Sequence, residues 1–241
     1  MITNNFLAHY GVLGMHWGVH KTPIKDGHKT LMSAKSANMD TWGKDSKHNI
    51  LYVTGYSGSG KSTVARQLAD AKTNVIHLDP YFEKMDKNVS ASIQDKEFNA
   101  FLNKNFPEYK TIANPAKGER HSKEWWAKVD TFMDKTEKFA AKQFYKKQKV
   151  IVEGVQLQDS TTYPDKSFFK DKPLIITGTN PITSFLRASK RDGRSVITSF
   201  QSGKEYAQWY ADTYKNLNIL SKHANAKVGS EWVKKYLDTS N

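Results

Sequence analysis

The sequence predicts an α/β fold in which a parallel sheet is flanked by helices, with a helical insertion and an irregular N-terminal extension. Three observations predict it. Short apolar runs recur at residues 49–54, 74–78, 149–152 and 173–177, stretches with helical periodicity separate them, and the first run ends in a glycine-rich turn that opens a helix. Strands that alternate with helices pair in parallel, and such sheets hold their ligands at the carboxyl ends of the strands.

The chain of 241 residues suits one sizeable domain with an appendage. It has no cysteine, which excludes disulfides, thiolate metal sites and cysteine nucleophiles. No apolar run approaches the roughly 20 residues that cross a bilayer, and the first residues lack the pattern of a signal peptide. The expectation is a soluble cytoplasmic protein with no membrane partner. Lys and Arg number 37 against 24 Asp and Glu, a net charge of +13. Such a balance attracts anions, whether nucleotides, nucleic acid or acidic surfaces; lysines spread over a solvated surface are the simpler explanation.

Taken in chain order, residues 1–48 are rich in glycine and histidine without periodicity and are expected to be irregular. Their His9, His16, His20 and His28 fit no metal-ligand spacing. A domain over 49–241 follows. Residues 49–54 form a buried strand, and a helix runs from the glycine-rich turn to about residue 71. Residues 74–78 form a second strand, stopped by Asp79 and Pro80. Residues 84–148 are mainly helical and charged. One long amphipathic helix is expected from Ser122 as N-cap to about Lys147. Strands at 149–152 and 173–177 follow, then helices at about 183–191 and 204–221.

The sharpest chemical signal is GYSGSGKST, residues 55–63, which satisfies G-x-x-x-x-G-K-[ST] through Gly55, Gly60, Lys61 and Ser62. Glycines there free the backbone so that the amides of Gly55, Ser57, Gly58, Ser59, Gly60, Lys61, Ser62 and Thr63 can converge on phosphate oxygens. The helix that follows points its positive end at the same anion. Lys61 would reach the β- and γ-phosphates of ATP or GTP, and the Ser62 hydroxyl would ligate Mg²⁺.

Three further elements surround this P-loop. Asp79 follows the second strand, where a carboxylate can orient or deprotonate an attacking hydroxyl; the alternative is that it caps a turn beside Pro80. Glu153 ends the apolar run at 149–152, where an acid suits Mg²⁺ or its water and Gly154 allows close backbone approach; the alternative is an acid that meets solvent. On a helix, Arg187, Lys190, Arg191 and Arg194 share one face, and such a basic face can close over a triphosphate as a lid spanning 183–195, or merely be solvated.

In order, these elements resemble the uridine kinase and phosphoribulokinase branch of P-loop NTPase-fold kinases. The resemblance rests on the P-loop, on Asp79-Pro80-Tyr81-Phe82, on Glu153-Gly154, and on Arg187, Arg191-Asp192 and Arg194. It covers about residues 49–221 in scattered blocks, including the stretch 195–215, which resembles the helix after the lid of uridine kinases. It implies that Asp79 is the base or hydroxyl-orienting group and that the arginines form the lid. The lid is shorter than in uridine kinases, and residues 84–148 look unrelated to that branch. Residues 9–21, HYGVLGMHWGVHK, resemble a short motif of phage proteins, often structural ones.

The expected function is transfer of the γ-phosphoryl group of ATP or GTP to a hydroxyl of a small molecule, a nucleoside among the candidates. One alternative is a kinase for 5′-hydroxyl ends of nucleic acid, for which Trp125 and Trp126 would offer stacking surfaces if exposed rather than in the core. Another is a phage interaction protein associated with the virion, whose nucleotide-binding domain is secondary.

Overall fold

In the computed structural model, residues 34–158, 166–178, 186–188, 190, 217, 220 and 226–228 are described. Strand β1 spans Ala34–Ala37, β2 Ile50–Gly55, β3 Thr73–His77, β4 Lys149–Glu153, β5 Leu174–Thr177 and β6 Ala226–Val228. They form one six-stranded sheet in the order β3-β4-β2-β5-β1-β6. Strands β3, β4, β2 and β5 run parallel, and β1 lies antiparallel to both β5 and β6. The expected α/β fold with a mostly parallel sheet flanked by helices is therefore present.

Both faces of the parallel strands are covered, which is why they read as near-continuous apolar runs rather than alternating ones. Leu51, Val53, Ile151 and Ile175 point to one face, where they meet Val64, Ala65 and Leu68 of helix α1 (Lys61–Leu68). Tyr52, Ile76, Val150, Val152, Leu174 and Ile176 point to the other, beneath the helical insertion. After the short helix α2 (Asp79–Phe82), that insertion comprises α3 (Lys87–Ile93), α4 (Lys96–Asn105), α5 (Lys110–Ala113) and α6 (Lys123–Tyr145).

Helix α6 begins where the sequence places its cap: the Ser122 hydroxyl accepts a hydrogen bond from the Trp125 amide. Val129, Phe132, Met133, Thr136, Phe139, Ala140 and Gln143 follow at helical spacing and are all buried. Its Phe132 packs against Tyr81, Phe82 and Phe98, tying the helix to α2 and α4. Each such ring removed from water contributes about 2 kcal/mol. The helix ends as Lys147 turns left-handed at φ 58°. Trp125 is 3% exposed and donates its indole N–H to the Ile112 carbonyl, while Trp126 packs half-buried against the core. Trp125 is thus a core residue and not an exposed stacking surface.

Two further expectations need correction. Residues 34–42, expected to be irregular, belong to the fold. Ala34–Ala37 pairs with β5 in the register Lys35↔Ile176, and Met39 and Trp42 are buried in the core. The Trp42 indole donates to the Val150 carbonyl at 3.3 Å, and the Lys149 ammonium lies 4.7 Å over its ring. AKSA has little strand propensity of its own, so the edge of β5 recruits it. Helix α1 also ends at Leu68, short of residue 71. Among the described residues no helix is long and apolar enough to cross a membrane.

Candidate functional site

Strand β2 leads straight into the glycine loop, and Gly60 stands as N-cap of α1. Gly58 and Gly60 take φ of 79° and 96°, a region L-residues with side chains rarely adopt, and the loop turns there. Gly55, at φ 148°, also lies in that region and answers a packing demand as well. A Cβ on it would overlap the Thr177 side chain and carbonyl and approach the Ser59 hydroxyl. Ser59 and Thr177 join their hydroxyls at 2.6 Å, and the Thr177 hydroxyl also donates to the Thr54 carbonyl at 3.0 Å. Parallel pairing of β2 with β5, in the register Gly55↔Thr177, creates this contact. The loop is thereby fastened to the next strand by buried hydroxyls, with Ser57 and Ser59 both inside.

Lys61 arches back over the loop, donating to the Tyr56 carbonyl at 3.1 Å and lying 3.4 Å from the Gly55 carbonyl. Its ammonium therefore sits at the loop, beside the start of α1, where the unpaired first amides of a helix favour an anion. Gly55, Ser57, Gly58, Ser59, Gly60, Lys61, Ser62 and Thr63 lie together in this strand-to-helix turn.

Strand β4 sits directly beside β2 with Val53 opposite Glu153, so the end of β4 reaches the start of α1. Glu153 is 4% exposed, which removes the alternative of an acid meeting solvent. Its Oε1 accepts a hydrogen bond from the Ser62 hydroxyl at 3.1 Å and lies 2.5 Å from Nδ1 of His77. Its Oε2 is buried with no hydrogen-bond partner. A buried carboxylate oxygen left this way is costly unless a cation or water meets it. A hydroxyl and a carboxylate are also the hard oxygen donors that Mg²⁺ takes when phosphates supply its other ligands, so Ser62 and Glu153 fit that ion.

The next strand supplies two neighbours. His77 ends β3 opposite Glu153, and Asp79 opens α2 two residues later. Burial by itself would lower the His77 pKa; the hydrogen bond and charge of Glu153, with Asp79 behind it, outweigh that and hold the imidazolium above the usual histidine range despite Arg66. Asp79 Oδ1 accepts a hydrogen bond from the Gln156 side-chain amide at 2.9 Å, and the same amide lies 3.4 Å from Glu83. Gln156 reaches Asp79 because the chain after β4 turns sharply at Gly154, where a Cβ would press on Leu78 and on the Gln156 carboxamide. The Leu78 amide donates to the Glu153 carbonyl and the Gly154 amide to the Val53 carbonyl, fixing three strand ends in line.

The structure thus gathers Lys61, Ser62, Asp79 and Glu153 at the carboxyl ends of β2, β3 and β4. Arg187 lies in a helical stretch and is exposed; Arg191 and Arg194 lie outside the described residues, as do His9, His16, His20 and His28. Sequence reasoning assigned no role to His77, Gln156 or Thr177. His77 carried a signal, since it stands two residues before Asp79 at a strand end. Nothing in the chain announces that Gln156 or Thr177 reaches the site. The arrangement can bind a polyphosphate at the loop, hold a divalent cation beside it, and present a carboxylate to a third group.

Among known families, one described as a family of unknown function (DUF7211) matches residues 2–24, a span that includes the histidine-rich stretch 9–21 and none of the site. Neither curated proteins nor solved structures gave a match to this chain.

Proposed function

We propose that the chain is a phosphotransferase of the P-loop NTPase fold, moving the γ-phosphoryl group of ATP or GTP to a hydroxyl of a small molecule. The uridine kinase resemblance suggests a nucleoside as that acceptor. One observation carries the reading: the glycine loop with Lys61, the Ser62–Glu153 pair and Asp79 meet at one end of one parallel sheet.

Each group then has a task. The loop amides and Lys61 hold the β- and γ-phosphates. Ser62 and Glu153 would hold Mg²⁺, whose chemistry when bound is to neutralise negative charge on the phosphates. Asp79, its Oδ1 fixed by Gln156, accepts the proton of the acceptor hydroxyl as that oxygen bonds to the γ-phosphorus and the nucleoside diphosphate leaves. Arg187, Arg191 and Arg194 close over the charge that builds on the transferred group. Positioning and electrostatics carry such a reaction, with no covalent intermediate on the protein.

The test is a Mg²⁺-dependent nucleotide-consumption assay across nucleosides and 5′-hydroxyl oligonucleotides, with Lys61→Ala and Asp79→Asn as controls. Stimulation by one acceptor, lost in both variants, is the expected result. Stimulation by oligonucleotides alone would transfer the reading to a polynucleotide kinase. Nucleotide binding without turnover on any acceptor would overturn it.

A further inference from the structure

The four parallel strands all begin at the rim opposite the glycine loop, so the loops that lead into them collect there. Each carries lysine. Lys44 and Lys47 precede β2, Lys72 precedes β3, Lys146 and Lys147 precede β4, and Lys170 and Lys172 precede β5. These seven lysines stand against three carboxylates in the same loops, Asp45, Asp70 and Asp171. Two of the three are turned onto their own backbone: Asp45 takes the amides of Lys47 and His48, and Asp70 the amide of Lys72.

The loops are held in register by the sheet itself. The Lys149 amide donates to the Lys72 carbonyl, the Gly43 amide to the His48 carbonyl and the Tyr52 amide to the Pro173 carbonyl. In the strand order β3-β4-β2-β5, neighbours about 4.8 Å apart make a row of basic loops about 14 Å long. That length meets several consecutive phosphates of one nucleic-acid strand.

Tyr145 closes α6 at this same rim, immediately before Lys146 and Lys147. Tyr145 is 78% exposed, whereas Leu186 at 43% is the other large exposed hydrophobic residue among those described. An aromatic face left in water beside a row of cations is the combination that binds unpaired bases, through stacking on the ring and contacts to the backbone phosphates. The one ion pair in the loop before β4, Lys146 with Glu97 at 3.2 Å, joins two half-exposed side chains and yields readily to a phosphate.

We propose that this rim is a docking surface for single-stranded nucleic acid, with Tyr145 as the stacking platform and the strand-leading lysines as phosphate contacts. It lies at the opposite end of the sheet from the glycine loop and does not depend on the phosphotransferase reading. An anionic membrane would meet the same lysines, but a lone exposed ring offers it little apolar area to bury.

The experiment is fluorescence anisotropy of a labelled oligothymidylate of about 20 nucleotides with the full chain, titrated at several salt concentrations and repeated with excess ATP. The rim variant replaces Lys47, Lys72, Lys146 and Lys147 with Gln; the comparison variant replaces the exposed Lys87, Lys104, Lys117 and Lys123 with Gln. The rim variant is expected to bind at least about tenfold more weakly, and its log K against log salt slope to fall by up to about 0.7 per contacting lysine. The comparison variant should change affinity less than about twofold, and ATP should not compete. Tyr145→Ala should weaken binding roughly tenfold with the salt slope unchanged. Thermal melts of every variant should match wild type, so that a loss reports the surface and not the fold. Equal losses from the two lysine sets would overturn the proposal in favour of diffuse net charge, and competition by ATP would relocate binding to the glycine loop. Absence of oligonucleotide binding, with or without capture by phosphatidylserine vesicles, would also overturn it.

Discussion

The two rims of the parallel sheet are built from opposite materials. At the carboxyl rim the surface is interlocked: glycines, buried hydroxyls and carboxylates such as Glu153 are fastened to one another across four strands. At the amino rim the surface is made of lysines on loops that the sheet merely aligns; most stand in solvent, and Lys172 is instead held by Glu137. The difference teaches that the glycines and buried hydroxyls of the first rim cannot be altered without straining the fold, whereas the second can be rewritten with little structural cost. Parallel strands impose this polarity, because helix N-termini follow the strands at one end only.

The largest effect that would sharpen the contrast is functional. Lys61→Ala should reduce acceptor-stimulated nucleotide consumption by about 10²-fold or more while leaving the melt near wild type, as phosphate release and calorimetry would read. Turnover that survives the substitution would remove the glycine loop from the chemistry.

Next come changes that probe how tightly the carboxyl rim is packed. Gly55→Ala drives a methyl into Thr177 and should cost about 3 kcal/mol in urea unfolding. Thr177→Val removes one hydrogen bond from the Thr54 carbonyl and one from the Ser59 hydroxyl, which keeps the Tyr56 carbonyl, and should cost about 1–3 kcal/mol. Wild-type stability in both variants would break the picture of a loop fastened to β5.

A smaller effect depends on pH. The folded-state pKa of His77 is raised, chiefly because Glu153 outweighs the effect of burial. Its contribution to stability is therefore fully present below the ordinary histidine value of about 6.5 and is lost as pH rises through the higher folded value. Melting curves of wild type should fall relative to His77→Gln as pH rises from about 6 to 9. Parallel curves would show that the imidazolium does not stabilise the site.

The smallest effect is expected at the amino rim, where Lys47→Gln or Lys72→Gln should leave unfolding free energy within about 0.5 kcal/mol of wild type. A larger loss there would erase the distinction between an interlocked rim and one of solvated side chains.

Much of the carboxyl rim was legible beforehand because its signals are local. The apolar runs of β2, β3, β4 and β5 follow from burial on both faces, and the P-loop pattern sits between a strand and a helix as its mechanism requires. Asp79 and Glu153 stood out because each follows or ends such a run. The Ser122 cap and the buried face of α6 were equally readable from spacing.

Other features depend on which strands become neighbours. Glu153 meets Ser62 and His77 because β4 lies between β3 and β2, and strand order is not written in any one segment. Thr177 closes on Gly55 only through the β2–β5 register, and Gln156 reaches Asp79 only after the turn at Gly154. Ala34–Ala37 becomes a strand because β5 offers unpaired backbone groups, not because its residues favour extension. The row of lysines likewise arises from four loops scattered over the chain. The sequence by itself determined the four parallel strands, the glycine loop and the candidate acids, since each is encoded within a few residues. Tertiary structure alone decided the partners of those acids and the charge of the opposite rim, since both are sums over segments that only the sheet brings side by side.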